Sequence, residues 1–157
     1  MAGEFKIVDQ DRGFKKLLER LSKRKSPHVI VGVYGKAVGQ RYKGVGATVS
    51  EVAAVHEFGV PSRNIPKRSF LRDTALINER RIEKNLATVT ERIVTGVESE
   101  RTGLLKFGVW FEGVVKQRIA AGIPPKLSPA TIKRKGSSKP LIDTGQLRNS
   151  ISSELRD

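Results

Sequence analysis

The chain has 157 residues with 30 Lys and Arg against 16 Asp and Glu, a formal net charge of +14 and an isoelectric point near 10.5, a length that suits one domain with a polar arm. Hydrophobic residues make up 38% and charged residues 29%, which allows a modest core and excludes an intrinsically disordered composition. There is no Cys, so disulfides, thiolate metal sites and thiol nucleophiles are excluded.

The opening MAGEFKIVDQ lacks an apolar stretch and the longest apolar run is Val52 to Val55, so neither a signal peptide nor a membrane span is expected. Phe5 to Val8 is a short β-prone stretch, followed by Asp9 and Asp11 as turn and cap residues. Phe14, Leu17, Leu18 and Leu21 then fall at helical spacing with Lys and Arg between them, which predicts an amphipathic helix ending before Ser26-Pro27. His28 to Tyr34 is nearly continuous in apolar residues and predicts a central, buried strand. Residues 35–47 are rich in glycine and carry Lys36, Arg41 and Lys43, a composition expected of a mobile loop or a hairpin tip.

Thr48 with Glu51 makes a capping box that opens a short helix through His56, stopping at Gly59. Pro61 and Pro66 exclude helix before Lys67. From Ser69 one long helix is expected through Ile93, broken at Gly96, and a second over about residues 98–121. The second helix contains Gly103, Gly108 and Gly113, each about 1 kcal/mol less favourable than Ala, a pattern suggesting close approach by another helix or subunit. Residues 122–142 are polar, basic and proline-punctuated, and predict an extended arm with one helical turn at Ser128-Pro129-Ala130-Thr131. Leu147 to Leu155 reads as a β-like ending. The expected fold class is α+β: a small mixed or antiparallel sheet packed against a long helix or helix pair, with an extended basic loop or arm, in a single domain over residues 1–157.

The positive charge is uneven. Residues 12–43 hold ten Lys and Arg against one acid and residues 116–148 hold eight against one, whereas residues 91–112 hold three against four. Two cationic ends flanking a near-neutral helix are compatible with contact to a nucleic-acid backbone. Aromatic residues are only 6% and none alternates along a strand among basic residues, which argues against a single-strand stacking platform and leaves the duplex backbone open.

Enzyme motifs fail on spacing. Gly39 and Gly44 are followed by Val45 where a phosphate-binding loop needs Lys, and the Gly44-Val45-Gly46 stretch meets Val49 where a dinucleotide fingerprint needs its third glycine. His56-Glu57 suggests a zinc-protease pair, but Val60 stands where the second His is required. No Gly-x-Ser-x-Gly elbow occurs, and the acids are scarce and spread along helices. No catalytic, metal-binding or cofactor-binding residue is assigned.

Two stretches remain. One is His56-Glu57-Phe58-Gly59 with Ile65-Pro66-Lys67-Arg68-Ser69-Phe70-Leu71-Arg72. The other is Leu127-Ser128-Pro129-Ala130-Thr131-Ile132-Lys133-Arg134-Lys135-Gly136 with Lys139-Pro140-Leu141-Ile142-Asp143-Thr144-Gly145-Gln146-Leu147-Arg148-Asn149-Ser150-Ile151. These blocks resemble the tail-completion and neck proteins of long-tailed bacteriophages, the head–tail connector or virion morphogenesis group, over roughly residues 50–75 and 100–152. The resemblance implies a structural virion protein rather than an enzyme, without a cofactor, assembled in the host bacterial cytoplasm and located in the neck. It implies a homo-oligomeric ring, hexameric with a dodecamer as the alternative. That ring would meet an adjacent head-completion or portal-side ring and tail terminator or tail tube proteins, with no membrane, and packaged double-stranded DNA would pass it by non-specific contact.

On that resemblance the motif and subunit-interface candidates are His56, Phe58, Gly59, Pro66, Arg68, Phe70, Leu71, Arg72, Asp143, Thr144, Gly145, Leu147 and Arg148. Ile65, Pro66, Phe70 and Leu71 are expected to anchor the long helix on the sheet, and Arg68 and Arg72 to donate intersubunit salt bridges. Lys36, Arg41, Lys43, Lys133, Arg134, Lys135 and Lys139 are the candidate contacts to DNA or a neighbouring ring. The alternative function is a standalone, sequence-independent double-stranded DNA-binding protein.

Overall fold

The computed structural model describes residues 15, 16, 19, 27–44, 46–135, 140, 141 and 145–157, with the backbone alone for 130, 134 and 135. The Phe5 to Val8 stretch lies outside these residues. Of the first expected helix, Lys15, Lys16 and Glu19 are described and helical.

The fold is α+β: a two-stranded antiparallel sheet packed by a long helix, with further helices around it. Strand β1 (His28–Val33) pairs with β2 (Ile151–Arg156), from His28 opposite Arg156 to Val33 opposite Ile151. The expectation of a central, buried β1 is corrected, since among the described residues it pairs on one side only and most of its side chains are half-buried. Its apolar run reflects β-branched residues suited to a pleated surface rather than enclosure on both faces. Val31 and Val33 pack against the core.

The described residues of 35–47 form a hydrogen-bonded tip. A 3-10 turn at Gly35–Ala37 opens it, an antiparallel bridge joins Arg41 to Thr48, and the buried Tyr42 inserts into the core from between two exposed cations. Helix α1 (Val49–Phe58) begins with the expected box: Glu51 N–H donates to Thr48 Oγ1 at 3.3 Å and Thr48 N–H donates to Glu51 Oε2 at 2.7 Å. The Thr48 N–H and the Thr48 hydroxyl, which donates to the same Oε2 at 2.9 Å, hold the Glu51 carboxyl below its usual range.

The single long helix expected from Ser69 is two helices, α2 (Arg72–Ile77) and α3 (Glu79–Val94). Asn78 divides them. Its side-chain amide donates to the Thr74 carbonyl at 2.8 Å, competing with the helical ladder as short amide side chains do. Helix α4 (Glu100–Ala121) then lies against α3, β1 and β2. Within the arm expected over 122–142, the single helical turn at 128–131 is longer than expected, because Pro129–Lys135 is helical throughout (α5), with the Thr131 N–H donating to Ser128 Oγ at 3.2 Å. The β-like ending from Leu147 is first a helical turn, α6 (Gln146–Asn149), and only then β2.

The glycines of α4 explain its position. A Cβ at Gly108 would lie 2.5 Å from Val29 Cγ2 and 3.0 Å from Ser153 Cβ, so the missing side chain lets the helix seat on both strands. A Cβ at Gly103 would lie 2.8 Å from Val89 Cγ1, which sets the approach of α3, while Gly113 faces open space. The core gathers Val49 and Ala53 of α1, Phe70, Val115 and Ile119 of α4, Leu147 of α6 and Ile151 of β2.

Candidate functional site

The first block closes around Glu57. This carboxylate, at the buried face of α1, accepts from Ser69 Oγ at 2.5 Å and from the Arg72 N–H at 3.0 Å on Oε1. Its Oε2 accepts from the Phe70 N–H at 2.8 Å and the Leu71 N–H at 3.0 Å. The N–H groups that open α2 have no intrahelical acceptor, and a carboxylate from another helix meets them as a negative charge at the helix's positive end.

The neighbouring motif residues shape the same joint. The His56 carbonyl accepts the Arg68 N–H at 2.8 Å. Gly59 ends α1 at φ 75 and ψ 166, and a Cβ there would lie 2.7 Å from the Lys67 nitrogen. Phe70 is fully buried and Leu71 packs against the core, whereas Pro66 is exposed and Ile65 half-buried. Arg68 turns inward: Nε and Nη2 donate to the Pro125 carbonyl at 3.1 and 2.9 Å, and burial lowers the guanidinium's pKa. The Arg68 side chain, expected to reach another subunit, is thus bonded to its own chain. Arg72 keeps its side chain on the surface.

The second block reaches back to the basic tip. Gln146 Oε1 accepts the Lys43 N–H at 3.0 Å and Gln146 Nε2 donates to the Arg41 carbonyl at 2.9 Å. Gly145 precedes it at φ 74, Leu147 is fully buried and Arg148 half-buried. Lys36, Arg41, Lys43 and Lys133 are exposed. Lys139, Asp143 and Thr144 lie outside the described residues, as do the side chains of Arg134 and Lys135.

Two residues that organise these blocks, Glu57 and Gln146, escape sequence reasoning as individuals. A faint signal exists for Glu57: Leu71 stands at the N-cap of α2, without an acceptor side chain, so the opening turn calls for one from elsewhere. For Gln146 no such signal exists, because its partners are backbone groups more than a hundred positions away.

Among the described residues no three His, Asp or Glu side chains gather to hold a metal ion, and no helix is long and apolar enough to cross a membrane. Several large apolar side chains remain on the surface, including Phe58 at 67%, Leu76 at 64% and Ile77 at 65% exposure. Compared with protein-family models, curated proteins and solved structures, the chain matches none.

Proposed function

We propose that the chain is a structural subunit of the neck of a long-tailed bacteriophage. It assembles as a homo-oligomeric ring, a hexamer, between the head or portal side and the tail, around the passage of packaged duplex DNA. The two sequence blocks support this reading by resemblance. The structural observation that carries it is the exposure of Phe58, Leu76 and Ile77 beside a joint in which Glu57 accepts the opening N–H groups of α2 and Arg68 bonds to the Pro125 carbonyl. Apolar surface at the edge of a rigid joint suits burial against a neighbouring subunit, and repeated head-to-tail contact of one such surface closes a ring. The reading assigns no catalytic step.

The test is an electron-microscopy reconstruction of virion necks, with mass spectrometry of separated heads, necks and tails. Density and peptides for this chain are expected in the neck. Their confinement to another part of the particle overturns the reading.

A further inference from the structure

We propose that the tip between β1 and α1 is a preorganised binding site for the phosphodiester backbone of duplex DNA, with Lys36 and Lys43 as its cations and Gln146 as the positioning residue. The inference rests on the neck reading only in that a duplex is the expected occupant. An open depression is lined by Lys36, Gln40, Lys43, Gln146 and Asn149, with no acidic residue in its lining among the described residues. Both lysines are exposed, and neither forms an ion pair among the described residues.

What distinguishes this tip from an ordinary cationic loop is how firmly its backbone is held. Tyr42 is buried in the core immediately before Lys43. Its N–H donates to the Ala47 carbonyl at 2.9 Å and the Val49 N–H donates to the Gln40 carbonyl at 2.8 Å. Ser50 Oγ donates to the Val38 carbonyl at 2.8 Å. Gln146 fastens both residues flanking Tyr42, so the backbone beneath Lys43 is set before a ligand arrives and less ordering entropy is lost on binding. Lysines are point charges suited to a run of phosphates rather than to the paired geometry of a carboxylate, and among the described residues no aromatic side chain lines the depression for base stacking. The occupant read from this chemistry is a duplex backbone, bound without sequence preference.

The test is fluorescence anisotropy of a labelled 30-base-pair duplex (about three helical turns) over a range of salt, using the full chain. Removing both cations, Lys36→Ala with Lys43→Ala, is expected to lower affinity at least about tenfold at low salt and to flatten the log–log salt slope by about 2. A charge-matched control on the exposed face of α3, Arg80→Ala with Lys84→Ala, is expected to shift affinity less than about twofold. Gln146→Ala is expected to weaken binding several-fold while leaving the slope unchanged, because both cations remain.

Equal losses in the two double variants, an unchanged Lys36/Lys43 variant, or displacement of the duplex by polyglutamate at equal charge concentration each overturn the proposal. Absence of duplex binding by the wild-type chain also overturns it and leaves the neck location standing. Binding that depends on Lys36 and Lys43 in a chain absent from necks keeps the site and removes the neck reading.

Discussion

At the level of single side chains, Glu57 serves as an N-cap supplied from a different helix, and its four acceptor contacts make it the most sensitive side chain of the first block. Glu57→Gln puts a donor amide opposite backbone donors, and is expected to lower stability by about 3 kcal/mol, read by urea unfolding followed by circular dichroism. Gly59 and Gly44 form a matched pair for backbone strain. Both have positive φ, but only at Gly59 would a Cβ strike backbone, whereas Gly44 opens to empty space. Gly59→Ala is therefore expected to destabilise by more than about 2 kcal/mol and Gly44→Ala by about 1 kcal/mol, measured by the same unfolding curves.

Acid sensitivity belongs to this scale too. Burial pushes the Glu112 carboxyl up, but the Lys116 ammonium at 2.6 Å and the Ser153 donors outweigh it and leave the group below its ordinary 4.5. A carboxyl depressed in the folded state contributes stability above its unfolded value, and that contribution disappears as pH falls through the folded one. Glu112→Gln is expected to flatten this acid limb of the stability profile, checked by unfolding between pH 6 and about pH 3.

Among the elements, α4 carries the packing, and its glycines give opposite expectations. Gly108→Ala forces a methyl into Val29 and Ser153 and is expected to destabilise by about 2 kcal/mol, whereas Gly113→Ala faces open space and gains helix propensity of up to about 1 kcal/mol. Thermal midpoints moving in opposite directions check the pair. The sequence made α1 legible through Thr48, Glu51 and Gly59, because capping and termination are local chemistry. It also made α4 and the close approach of another helix at Gly103 legible, but not that Gly108 would meet the sheet. It did not reveal the division at Asn78, where a side chain competes with a ladder that hydrophobic periodicity alone would continue. Nor did it show α5 as a full helix, since a basic, proline-flanked segment has little apolar pattern to read.

Over the whole molecule, the +14 charge divides into groups with different surroundings. Arg68 is buried against the Pro125 carbonyl, Arg81 lies over the Trp110 ring at 5.7 Å, and Lys36 and Lys43 border the open depression. Net charge is visible in a sequence, but which cations are committed inside the fold depends on partners far away in the chain. The apolar surface makes the corresponding assembly prediction. Leu76→Ser with Ile77→Ser is expected to keep the thermal midpoint within about 2 °C, since both side chains are exposed, and to reduce the ring fraction seen by native mass spectrometry.

The register from His28–Arg156 to Val33–Ile151 has a further effect, on the order of events during synthesis. The partner of the first described strand lies more than a hundred positions later in the chain, so the sheet on which α4 seats cannot close until everything between the two strands has been made. Helices α1 to α4 are local and form quickly, but Gly108 has no paired strands to meet until β2 has been made. Sheet closure is then a late, long-range step with a large loop-closure entropy. Until it occurs, the strand-facing side of α4 is exposed to other nascent chains, and this is the interval in which the protein is most open to chaperone capture or misassembly.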